Sequence, residues 1–177
     1  MIDKMKRVVL VLLLTFLVLV SFALAADEDK ILGLWNTPEN DCTIEIFKSG
    51  SKYYGRIAWL KEPFYPAGDD GGMAGRPVVD RENPNPNLRT RPLIGLQLIE
   101  GFVYIGKNVW EKGTIYDPDN GKTYKCKMIL SAPNRLELRG FIGIPLLGAT
   151  SVWTREAESS VIPRDYSGYR KRRIDVN

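Results

Sequence analysis

The chain has 177 residues, with 25 lysines and arginines against 21 aspartates and glutamates and no histidine. Without histidine, Ser-His-Asp and Cys-His catalysis and the commonest zinc ligand sets are excluded. A net charge of +4 that partly reflects a basic N-terminus gives no support to nucleic-acid binding.

That N-terminus carries Lys4, Lys6 and Arg7, then an apolar run from Val8 to Val20 broken only by Thr15, then small residues at Ala23 and Ala25. The pattern is that of a secretory signal over residues 1–25, cleaved after Ala25. Its 13-residue apolar run falls short of the roughly 20 residues that span a bilayer as a helix, so no transmembrane span is expected after cleavage. The alternative is an uncleaved anchor. Cleavage would leave 152 residues carrying a net charge of +2, enough for a single domain with its own core. A periplasmic or secreted location follows. There disulfides can persist, and the two cysteines, Cys42 and Cys126, both share parity with inward-facing residues. A bridge and two separate buried thiols remain open.

Ordered structure is expected from about Ile31. The run CTIEIFKSGSKYYGRIAWL alternates, with Ile44, Ile46, Tyr53, Ile57 and Trp59 as its apolar positions and Ser49-Gly50 as the turn of a hairpin. From Lys61 to Leu88, five prolines and four glycines without periodicity predict a long loop, of the kind used as lids or binding loops. Leu93 to Ile99 reads as a largely buried strand. The clearest hairpin spans Trp110 to Leu130 around Asp117-Pro118-Asp119-Asn120-Gly121. Pairing Asp117 with Lys122 sets Ile115 against Tyr124 and Gly113 against Cys126. A bulge at Lys112-Gly113 would turn Trp110 inward. Pro133-Asn134 then leads into a strand with Leu136 and Leu138 inward, and Pro145 to Gly148 turns the chain into a last strand ending near Arg155.

About eight strands joined mostly by short turns predict an all-β, antiparallel up-and-down barrel over residues 26–155; a sandwich is the alternative. Beyond it, the basic tail over residues 156–177, with Arg170 to Arg173, is expected to be solvated, the alternative being a patch for a membrane surface or a protein partner.

Gly33-Leu34-Trp35, the run from Asn83 to Leu96, the run from Ile115 to Leu130 and the run from Leu138 to Arg155 together resemble a family of small exported bacterial proteins classed as a domain of unknown function. The resemblance implies a lipocalin-like (calycin) barrel and lends no established activity. It also implies that Arg155 lies across Trp35, with Gly33, as a structural closure, a contact worth about 0.5 to 2 kcal/mol by cation–π attraction.

Three functions are weighed. The first is a barrel binding a small hydrophobic or amphipathic ligand among Tyr53, Trp59, Trp110 and Tyr124, with Arg76, Arg89 and Arg91, and beside them Arg81, receiving an anionic head group. Against it, Asp80 and Glu82 are placed to pair with those arginines. The second is a cell-envelope interaction protein with a solid core that works through the long loop or the tail. The third is an enzyme using Asp69, Asp70 and Asp80, although aspartates beside glycines are more often turn formers. No phosphate loop, GxSxG or EF-hand spacing is present. The reading adopted is the first, non-catalytic and with neither cofactor nor metal.

Overall fold

In the computed structural model, which describes residues 27–141 and 148–156 together with residues 5, 6, 10, 12, 13 and 15, the alternating segments form eight antiparallel strands. They are β1 (Gly33–Asn36), β2 (Cys42–Ser49), β3 (Lys52–Leu60), β4 (Gln97–Gly106), β5 (Val109–Asp117), β6 (Lys122–Ala132), β7 (Arg135–Phe141) and β8 (Ala149–Arg155). Each pairs with the next, and β8 returns to β1 through Trp35 opposite Arg155 and Asn36 opposite Thr154, which closes the barrel. Closure satisfies the backbone groups that a free sheet edge would expose. The signal segment, the tail beyond residue 156 and most of the expected turn over 145–148 lie outside the described residues. Among the described residues, no helix is long and apolar enough to cross a membrane.

The central hairpin has the register its turn residues dictate. Asp117 pairs with Lys122, Ile115 with Tyr124 and Gly113 with Cys126. Gly121 takes the left-handed conformation at φ +70° and donates to the Asp117 carbonyl at 2.9 Å, while the Asp117 carboxylate accepts from the amide of Asp119 at 3.0 Å. The register slips between Trp110 and Gly113, with Lys112 at φ +67°, and Trp110 is fully buried. This is the expected bulge.

Two expectations are corrected. The register also slips between Thr43 and Ile44 against β3, so that Trp59 pairs with Thr43 while Leu60 pairs with Cys42. Ile44 and Cys42 face inward, so Thr43 and Trp59 share the outer side, and Trp59 leaves the interior set. The strand expected from Leu93 starts only at Gln97. Gly95 sits at φ +85° and the amide of Leu96 turns back to the Leu93 carbonyl at 2.9 Å, which an extended chain cannot do. Leu93 and Leu96 are nevertheless buried.

The long connection from β3 to β4 is fastened rather than looped out. Bridges join Phe64 to Pro77 and Val79 to Pro92, and Pro86–Leu88 forms a 3-10 turn. Its anchor is Asp80, which has no exposed surface. Asp80 accepts from Arg91 at 2.7 and 2.8 Å, from the Asn83 amide at 2.8 Å and from the Tyr116 hydroxyl of β5 at 2.5 Å. A buried carboxylate is tolerable only with its lone pairs filled in this way.

Candidate functional site

Where the strands carry large inward side chains the lumen is packed, and where they carry small ones a cavity opens. Towards the β2–β3, β4–β5 and β6–β7 turns, Trp35, Tyr53, Phe102, Trp110, Met128 and Leu136 have no exposed surface and fill the barrel. Gly113 is part of that floor, because a Cβ there would run into the Phe102 ring. This end is also capped. A 3-10 turn at Asp29–Ile31 precedes β1, and Trp35 Nε1 donates to the Ile31 carbonyl at 2.9 Å. The Arg155 guanidinium lies 4.2 Å from the Trp35 ring centroid and donates to the carbonyls of Leu32 (2.8 Å), Pro133 (2.8 Å) and Lys30 (2.5 Å).

Towards the opposite end the inward positions become Cys42, Cys126, Gly140 and Ser151, and a cavity of about 1140 Å³ opens. Ile44, Ile57, Leu98, Ile115 and Leu138 contribute to its apolar wall, and Tyr124 and Trp153 add aromatic side chains. Pockets near this size hold small molecules. The β1–β2, β3–β4 and β5–β6 connections bring Glu39, Asp41, Lys61, Glu62, Asp117 and Asp119 into the lining, five carboxylates against one lysine.

The cavity shapes the titration of its lining. Burial pushes the thiols of Cys42 and Cys126 up to about 12, with Asp41 and Asp119 adding to the effect at Cys42. The carboxyl of Asp119 is raised above its ordinary value by desolvation first and then by the neighbouring charges of Asp117 and Asp41. Both cysteines are free thiols in the structure.

Of the residues singled out from the sequence, Tyr124 lines the cavity, with its hydroxyl 3.1 Å from the Asn120 amide that donates to it. Tyr53 and Trp110 lie in the packed floor. Tyr53 donates to Asp29 at 2.9 Å, and burial followed by that bond raises its hydroxyl to about 12. Trp59 lies outside the barrel, as its register requires.

The arginines are likewise apart from the lining. Arg91 is bound to Asp80, and Arg89 donates to the Asn83 carbonyl at 2.7 Å. Arg81 pairs with Asp69 at 3.2 Å and lies 4.1 Å from the Tyr65 ring centroid, and Arg76 contacts Met73 Sδ at 3.8 Å. The arginines expected to receive an anion lie instead in the long connection, where Arg91, Arg89 and Arg81 fasten it through Asp80, Asn83 and Asp69. Asp69 is used in the same way, accepting from the amide of Met73 at 2.9 Å. Sequence reasoning missed the acidic mouth because Asp117 and Asp119 read only as turn formers. The signal available was the row of small inward residues near one end of the strands.

A model of a bacterial family, described as an uncharacterised protein conserved in bacteria (DUF2147), matches residues 33–155, from the first strand of the barrel to the last. Among solved structures, protein HP1028 from the human pathogen Helicobacter pylori, which belongs to the lipocalin family, is similar in fold with a TM-score of 0.60. The two share 23% sequence identity over 74% of this chain and 86% of that one. No curated protein matches the chain.

Proposed function

The chain belongs to DUF2147, a family of uncharacterised proteins conserved in bacteria, and for this member we propose an exported, non-catalytic binding protein that takes a small hydrophobic or amphipathic ligand into its barrel. The observation that carries the reading is the cavity of about 1140 Å³, walled by apolar and aromatic side chains and floored by a packed core. An acyl chain or a fused ring system leaving water for this wall gains about 25 cal/mol per Å² of apolar surface buried. The lipocalin-like barrel is the fold expected of such a carrier. The export component rests on the signal pattern of residues 1–25.

The test is native mass spectrometry of the protein purified from the envelope of its own host, followed by solvent extraction of the bound material. A co-purified amphiphile in stoichiometric amount is the expected result. An empty protein whose melting temperature also fails to respond to a panel of fatty acids, amines and phospholipids would overturn the reading in favour of an envelope interaction protein.

A further inference from the structure

The head group that this cavity accepts can be read from its mouth. Resting on the binding reading above, we infer that the barrel selects cationic amphiphiles, in which an apolar tail carries a protonated amine or a quaternary ammonium group. The site is the cavity itself, which stands on its volume and its apolar wall; the charges serve only to choose the head group.

Five carboxylates, Glu39, Asp41, Glu62, Asp117 and Asp119, reach the lining from three separate connections, and among the described residues Lys61 is the one basic residue with them. Among the described residues none of the five forms an ion pair. Two have hydrogen-bonding partners, and those are neutral. Thr37 donates its hydroxyl to Asp41 at 2.7 Å, and Asn120 donates its amide to Asp117 at 2.6 Å. Such bonds orient a carboxylate and leave its charge uncompensated. At Asp119 desolvation raises the carboxyl first, and the neighbouring charges of Asp117 and Asp41 add to it. The arginines that would favour an anion are committed elsewhere, Arg91 to Asp80 and Arg81 to Asp69.

A second feature points the same way without depending on the acids. Tyr124 and Trp153 are among the lining residues, and aromatic rings attract ammonium groups, quaternary ones included. The acids are distributed around the mouth: among the described residues no three acidic or cysteine side chains converge as metal ligands do. That arrangement suits a bulky organic cation better than a metal ion.

The experiment compares three probes with one tail, dodecylamine, dodecanol and dodecanoate, titrated calorimetrically into delipidated full-length protein at neutral pH and low salt. The amine is expected to bind on the order of ten-fold more tightly than the acid, with the gap closing in about 0.5 M salt as the mouth is screened. Equal affinities, or a preference for the acid, would overturn the inference and leave the binding reading standing. Failure of all three to bind would overturn both.

A variant combining Glu39→Gln, Glu62→Gln and Asp119→Asn removes charge with little change of shape, and none of the three side chains is used in a described bond. Its amine affinity should fall towards that of dodecanol, with the dodecanol titration reporting that the lumen is still formed. An amine preference that persisted in this folded variant would overturn the inference.

Discussion

Arg155 shows how one side chain can serve a whole end of the barrel. Its planar fork reaches three carbonyls from two separate stretches of chain while its face covers Trp35. Lysine offers a point charge and cannot reproduce that geometry. Arg155→Ala is expected to cost about 2 kcal/mol, combining the lost ring contact with charged hydrogen bonds, and Arg155→Lys should recover less than half of it in urea denaturation. The cysteines give a second residue-scale expectation. With both thiols pushed up to about 12 by burial, almost no thiolate exists at about pH 8, and the thiolate is the nucleophile. Iodoacetamide should therefore leave native protein unlabelled at that pH and modify both cysteines once urea unfolds it. Rapid labelling of the native state would contradict the burial.

At the scale of elements, the floor depends on a strand position that has no side chain. A Cβ at Gly113 would occupy the space of the Phe102 ring, so Gly113→Ala must push that ring towards the lumen. Overpacking of this kind costs about 1 to 3 kcal/mol, and the variant should both melt earlier and bind any lumen ligand more weakly. A melting temperature equal to that of the parent would mean the floor is looser than its packing indicates. Much of this level was legible in the sequence, because it is local. Turn residues fix the Asp117–Lys122 pairing, and Lys112-Gly113 announces the bulge that turns Trp110 inward. The slip beside Thr43 carries no such mark, so simple alternation puts Trp59 on the wrong face. The Asp80 anchor was legible only in part, as a pairing of Asp80 with arginines of the long connection. Its partners Arg91 and Tyr116 stand 11 and 36 residues away, and only the folded barrel brings them to one carboxylate. The sequence therefore left two readings of those arginines side by side, paired with Asp80 or open to a ligand.

For the whole molecule, the decisive property is that the lumen has one packed end and one open end. Trp35, Tyr53, Phe102 and Trp110 block passage at the floor, leaving the acid-lined connections at the other end as the route of exchange. For the amphiphile proposed above, a blind tunnel imposes an order on traffic: the tail enters first and leaves last, and no newcomer can push an occupant out from behind. Replacement must wait for spontaneous departure. In a stopped-flow chase, the rate at which a fluorescent amphiphile is released should accordingly stay constant as the concentration of unlabelled competitor rises, so that, under the proposed binding function, a cell would unload the barrel by lowering the hold on the head group rather than by offering a rival cargo.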